Sequence, residues 1–436
     1  MVGSRSLNQH ESKQAKRAII YTQCLAMLAA TLFESGIILL YFKALLLSPS
    51  QALALLSLSG ITIAFGLLPA SLIADRIGKK RCGQMGIFAD VLGFGLLIAS
   101  GWVPAHQAHT MAFLGILVVS LGNILNMAGW FALLSPIIEP GQRGRFFARL
   151  RLTFQSVGLI FLLVASWVLE QSGDKLVFQS LIAVVIFAQA GRYFFYSRIP
   201  ELEHPVKAPP SELFALAGQI IKSRKFMLFC GYAFLYMLFT GGINPLFVFV
   251  EKFELGYSEG RIVFLSNLFR FGLMSGFVFG GSLIDFRGTR PVILISQAGI
   301  AVAVVCFSMR ELAGDFLFPW VGAIHFVFGM FFSLHGLALT SQLLGLMQER
   351  FKSVYSGIFS MLMMAGYAVA NFMPSFCLKY EILPEHWQLA GIDLSSYDLL
   401  LLVCASMLFV LLSSIYMVPD SVKRAFWIPR GSTSSA

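Results

Sequence analysis

Charge is scarce in this chain. Lys, Arg, Asp and Glu make up 12% of its 436 residues, against about 25% in ordinary soluble domains. Hydrophobic residues fill 57%, and 42 Phe with 17 Met are too many for one water-soluble core to hide. A soluble globular protein is excluded. Long polar stretches are missing as well. No segment is large enough to be a nucleotide-hydrolysing domain, and there is no G-x-x-x-x-G-K-[ST] loop, so an ATP-driven pump lacks its engine. Neither H-E-x-x-H nor G-x-S-x-G occurs, which removes the usual residues of a zinc-dependent or serine-nucleophile membrane enzyme. The six cysteines (Cys24, Cys82, Cys230, Cys306, Cys377 and Cys404) have no metal-ligand or redox spacing and read as small buried hydrophobes. No metal and no organic cofactor is expected.

What remains are apolar runs of about 20 residues, the length that crosses a bilayer as helix. They fall at 18–42, 51–74, 83–101, 110–134, 146–170 and 176–197, then at 226–250, 260–284, 290–309, 316–345, 352–377 and 396–418. Barrel strands would be short and alternating instead. The fold class expected is an all-α polytopic membrane protein with twelve spans. Residues 1–17 are polar, and the run that follows is too long for a signal-peptide core, so they read as an N-terminal tail. Residues 198–225, with Pro200, Pro205, Pro209 and Pro210, read as a linker, within which Ser211–Ile221 has one apolar face suited to a membrane surface. Residues 419–436 form a C-terminal tail.

The net charge of +10 does not point to nucleic acid, because the basic residues sit in short segments between spans, where lipid headgroups and insertion bias explain them. With the N-terminus inside, the external side holds only Lys43, Lys175, Lys252, Arg261, Arg310 and Lys379, and Arg270 alone lies deep in a span. Both termini are therefore expected in the cytoplasm.

The sequence also repeats itself. S-L-I-A-D-R-I-G-K-K from Ser71 returns as G-S-L-I-D-F-R-G-T-R from Gly281, which places Asp75 and Asp285, and Gly78 and Gly288, each 210 residues apart. Glu139, followed by Arg143 and Arg145, lies 210 residues before Glu349, which is followed by Arg350 and Lys352. Two six-span halves, 18–197 and 226–418, are implied. The glycines let the chain turn sharply from one span into the next.

Two such halves, a central linker and the loop Asp75, Arg76, Gly78, Lys79, Lys80 resemble the major facilitator superfamily, whose loop signature looks like G-x-x-x-D-R-x-G-R-R. Ser71 departs from the leading glycine, and in the second copy Phe286 stands where the arginine would be, while Gly281, Asp285, Gly288 and Arg290 keep the pattern. The resemblance implies that these loops, with Glu139, Arg143, Glu349 and Arg350, latch the two halves during gating, and that the molecule acts as a monomer in a lipid bilayer. The expected location is a bacterial inner (plasma) membrane.

Ionisable side chains at bilayer depth are the first candidates for function. Glu34 lies in the first span, and its repeat partner is Asn244 in the seventh. A proton-coupling or substrate-binding role competes there with a structural hydrogen bond. Arg270 in the eighth span, one turn from Asn267, stays charged and needs an anion. That anion is a substrate group, Glu34 in one state, or a fixed partner. Asn123, Asn126 and Trp130 form a stripe on the fourth span that suits a cavity wall or helix–helix contact. His325 and His335 on the tenth span lie about 80° apart around the helix, so no more than one can face a central cavity squarely. Asp90, Arg149, Arg151, Gln155, Arg192, Tyr193, Tyr367 and Asn371 are weaker candidates.

Together with the resemblance, these residues imply a secondary active transporter. It would move a small organic anion or zwitterion by alternating access, coupled to H+ or, alternatively, to Na+. Export of an amphiphilic drug or lysolipid is a second reading, and a non-transporting receptor or scaffold a third.

Overall fold

The computed structural model describes residues 8–134, 136–138, 143–202, 218–347, 352–384, 386–389 and 392–418. Its helices are α1 (Gln9–Glu34), α2 (Ile37–Ala44), α3 (Pro49–Ile77), α4 (Lys79–Ala99), α5 (Ala105–Leu134), α6 (Arg143–Gln171), α7 (Lys175–Ser197), α8 (Arg224–Thr240), α9 (Ile243–Phe249), α10 (Glu259–Arg287), α11 (Thr289–Ser308), α12 (Leu317–Leu346), α13 (Lys352–Lys379) and α14 (Ser396–Leu412). Among the described residues eleven spans are long and apolar enough to cross a bilayer, and α1 with α2, bent by 55°, supplies a twelfth. Large apolar side chains point outward, Phe65, Phe187 and Phe286 being more than three-quarters exposed. Lipid tails make that arrangement stable where water would not.

Helix starts follow from the residues that cap them. Asn8 and Glu11 form a reciprocal capping box that extends α1 back to Gln9, so part of the expected polar tail is helix. Ser48 with Gln51 caps α3, and Ser395 with Asp398 caps α14 in the same way. The two repeated glycines open α4 and α11 at φ +102° and +83°, a backbone conformation that a side chain disfavours.

Two spans depart from an uninterrupted α-helix, the first with a 55° bend and the seventh within a single span. The first breaks at Ser35–Gly36. Gly36 has φ +76°, and a Cβ there would lie 2.7 Å from Val248 Cγ2, so both the bend and the approach of α9 require glycine. The seventh breaks at Gly241–Gly242 between α8 and α9, then ends in a π-helical turn over Val250–Glu254. The expected external loop at 380–395 contains a β-hairpin, His386–Leu389 paired antiparallel with Ile392–Ser395, the one departure from all-α structure among the described residues. The proposed surface helix at Ser211–Ile221 falls largely outside the described residues.

Within the N-terminal half α4 packs along α5, and within the C-terminal half α10 packs along α12. The halves meet on two flanks, α3 against α13 and α6 against α10. On the first flank a Cβ on Gly60 would stand 2.8 Å from both Ala368 N and Met364 O. The backbones touch there because no side chain intervenes. Gly78, Gly288 and the start of the linker mark one end of the molecule, called here the linker end. The turns at 45–48, 172–174 and 255–258 and the hairpin mark the far end.

Candidate functional site

The site forms at mid-depth where α1, α6 and α10 meet. Arg270 on α10 is 2% exposed. Its Nη2 donates to Glu34 Oε2 at 2.9 Å and to Thr31 Oγ1 at 3.2 Å, and its Nη1 donates to Gln155 Oε1 at 2.6 Å. A guanidinium in a fork of three acceptors is a strong, orientationally fixed arrangement. Thr31 and Glu34 come from one helix face three residues apart, and Gln155 and Gly158 from another. Gly158 makes the room, since a Cβ there would lie 2.8 Å from Arg270 Nη1. The pair is unequal. The Glu34 side chain is 48% exposed, so the carboxylate faces open space and the guanidinium stands behind it.

Among the described residues, several hydrogen bonds join the halves at this level and toward the far end. Asn244 Nδ2 donates to the Glu34 carbonyl at 2.7 Å, and Ser266 Oγ to the Ser35 carbonyl at 3.0 Å. Both target carbonyls lie at the break in the first span, where the helix no longer supplies their partners. Further out, Ser375 Oγ donates to the Ser50 carbonyl at 2.6 Å. On the other flank Ser258 Oγ donates to Glu170 Oε2, while Arg261 Nε lies 4.0 Å from the same carboxylate. Polar contacts from both halves thus bridge the far end on both flanks.

Residues 19–371 match the Major Facilitator Superfamily. The chain belongs to that superfamily. Solved structures of the nucleoside transporter NupG superpose on it with TM-scores of 0.68 for a D323A mutant, at 15% identity, and 0.65 for another NupG chain, at 16%. They cover 94% of this chain and 100% or 99% of theirs, which shows a shared fold. A curated relative, Multidrug resistance protein MdtH of Blochmanniella floridana, is 28% identical over 160 residues. That alignment spans 36% of each chain, about a third of the relative's length.

Within this superfamily member the structure separates the residues that sequence grouped together. Glu34, Asn244 and Arg270 converge on the site. Asn267, one turn before Arg270 and 1% exposed, donates to the Val263 carbonyl at 3.4 Å and leaves Oδ1 unpartnered. The stripe on α5 divides. Asn123 is exposed, whereas Asn126 turns into the N-terminal half and donates to Asp90 Oδ2 at 3.1 Å. The same oxygen accepts from Arg192 at 3.2 Å, and Trp130 stacks on Tyr196 with centroids 6.1 Å apart. Neither histidine reaches the central site. His335 is buried, bonds Ser296 Oγ at 3.1 Å and stacks on Tyr236 at 3.7 Å. His325 pairs with Glu251 at 2.6 Å. A helix enclosed by neighbours on several sides can bury polar groups away from the axis, and periodicity along one span does not reveal which side faces it.

At the gating loops Asp75 and Asp285 lie in the last turns of α3 and α10, Arg76 is exposed, and Arg143 opens α6. Lys79 N donates to Glu201 Oε1 at 2.7 Å, so the linker's first carboxylate caps α4. Arg290 Nε donates to the Val418 carbonyl at 2.7 Å, tying the second copy to the end of the last span. Glu139, Glu349 and Arg350 lie outside the described residues. Sequence reasoning missed Glu170, Glu201, Glu251 and Asp398. Glu251 sits in P-L-F-V-F-V-E at the very end of an apolar run, and that position was its only signal.

Proposed function

We propose that the protein is a secondary active transporter that moves a small organic anion or zwitterion by alternating access, with protons as the coupling ion. The observation that carries this reading is the Arg270–Glu34 pair, joined across the two halves at mid-depth and backed by Gln155 and Thr31. A charge pair that bridges two rocking bodies makes its strength depend on their relative position. A proton on Glu34 weakens its hold on the guanidinium, which then accepts a cargo carboxylate or phosphate in its place. Half-exposure of Glu34 gives the proton a route from water. The excess of Lys and Arg on the linker side supports placing that end, with both termini, in the cytoplasm.

One observation favours a second reading. The carboxylate of Glu34, not the guanidinium, faces the open space, so a cargo that donates hydrogen bonds or carries positive charge meets it first. The names of the relatives, a nucleoside transporter and a multidrug resistance protein, are compatible with such cargo. Uptake into proteoliposomes under imposed pH and sodium gradients tests both. Organic acids, amino acids, nucleosides and cationic amphiphiles form the panel. Under the first reading wild-type protein accumulates an acid down a proton gradient, Glu34→Gln keeps exchange but loses proton-driven accumulation, and Arg270→Gln loses the acid. Normal transport of a neutral or cationic compound by Arg270→Gln supports the second reading instead. Binding without movement of any cargo supports a receptor or scaffold.

A further inference from the structure

A second buried charge cluster lies at the far end of the C-terminal half, away from the central pair. Glu251, in the π-helical turn that ends the seventh span, is 0% exposed, and His325 on α12 is 1% exposed. Glu251 Oε1 and His325 Nε2 are 2.6 Å apart. Phe247 and Phe307 pack around the imidazole at 5.4 and 6.4 Å. Beside them Arg310, which follows α11, forms a two-pronged ion pair with Asp398 at the start of α14. Asp398 is satisfied further by Ser395, whose backbone N–H donates to Oδ2 at 3.0 Å and whose hydroxyl donates at 2.8 Å.

Both pairs leave buried atoms without a partner, Nε of Arg310 in one, but they differ in charge. Arg310 and Asp398 cancel in charge. Glu251 and His325 each keep one buried atom without a partner, Oε2 and Nδ1. The other groups that face Glu251 are Arg310, already matched by Asp398, and the Tyr257 hydroxyl, itself buried and unpartnered. A carboxylate with neutral imidazole would place one net negative charge in a site closed to water, which is costly. One added proton removes that charge. It resides on Glu251 Oε2, leaving a neutral acid and a neutral imidazole, or on His325 Nδ1, leaving carboxylate and imidazolium. The proton comes from water and returns to water, and no other bond changes.

We propose that Glu251 and His325 form a proton-binding site separate from Glu34, loaded with one proton while the far end is closed and emptied when that end opens to solvent. The route to the central pair is α9. This short helix runs between the break at Gly241–Gly242 and the π-helical turn that carries Glu251, and it holds Asn244, which donates to the Glu34 carbonyl. A change in how Glu251 is held moves the same element that touches the centre. The inference rests on the alternating-access reading above, and its test does not require transport.

The test uses purified full-length protein in lipid nanodiscs, titrated between about pH 3.5 and 9, which brackets the free Glu and His values. Two readouts are followed. Infrared difference spectra report a protonated buried carboxyl. Spin labels on Leu46→Cys and Leu312→Cys, exposed at 78% and 70% on the far end of the two halves, report far-end opening. The expected result is a pH-dependent label distance, with longer distances as the proton leaves. Glu251→Gln removes both the carboxyl signal and the distance change and holds the short distance. His325→Gln shifts or removes the change, and Glu251→Gln still removes it when combined with Glu34→Gln. A wild-type distance that ignores pH overturns the inference, and so does a transition left intact by both Glu251→Gln and His325→Gln. If wild type shows the transition yet moves no cargo in proteoliposomes, the transporter reading fails while this site stands.

Discussion

Asn244 donates a 2.7 Å hydrogen bond to the backbone of Glu34, the residue 210 positions earlier that occupies the same place in the other half. Two positions related by an approximate twofold can touch only beside its axis, so the axis runs past this bond. The flanks obey the same relation. Gly60 lies against Met364 and Ala368, and Arg270, 210 residues after Gly60, lies against Gly158, 210 residues before Ala368. One flank is closed by backbone on backbone. Its counterpart is wedged by a guanidinium.

The inequality of the central pair predicts unequal costs. Glu34→Gln leaves a guanidinium that is 2% exposed without its carboxylate and should lower stability by about 3 kcal/mol. Arg270→Gln leaves a half-exposed carboxylate that water can solvate, at a cost of about 1 kcal/mol or less. Thermal unfolding of the two purified variants compares them. Equal losses, or a larger loss for Arg270→Gln, contradict the burial argument.

The glycine contact on the opposite flank should be intolerant of bulk. Gly60→Val drives a side chain into the backbone of α13, at about 1–3 kcal/mol of strain, and holds α3 and α13 apart. Cross-linking of Ser50→Cys to Ser375→Cys, whose parent residues are bonded at 2.6 Å, should then slow severalfold relative to the unmodified flank. An unchanged rate would show that the flank yields elsewhere.

The far-end contacts predict a reversible lock. A short bis-methanethiosulfonate, which forms a reducible disulfide with each of Glu170→Cys and Ser258→Cys, whose parent side chains hydrogen-bond, should stop uptake, and reduction should restore it. The native cysteines that are described are buried or half-buried, so the introduced pair reacts first. Full activity in the cross-linked protein would mean that the far end need not open.

Glu201 predicts a local effect. Its carboxylate receives the backbone N–H of Lys79 at 2.7 Å, and Glu201→Ala should cost about 1 kcal/mol, as loss of a helix cap does. Hydrogen exchange at the first amides of α4 should quicken about fivefold, the factor that this energy represents. Exchange indistinguishable from wild type would assign the cap to another group.

Much of this was legible in the sequence because bilayer depth and duplication are both recorded in it. Apolar length fixed the spans, the Asp–Gly repeat set the register, and the rarity of charge inside spans picked out Glu34 and Arg270. Their direct contact was one of the alternatives that their chemistry left open. Bends were not legible. Gly36 resembles any other small residue in a span until Val248 is placed against it. Nor was the direction of Asn126, His325 and His335, since a span surrounded by neighbours has several buried faces and a linear pattern does not rank them. Glu251 and Asp398 escaped because they lie at span ends, where acidic residues are ordinary.

The hairpin at His386–Ser395 gives the two membrane faces different outlines. A folded ribbon before the last span, with no counterpart before the sixth, is a handle that an antibody can grip from one side only. Binding of such an antibody to intact cells would establish which compartment the far end meets.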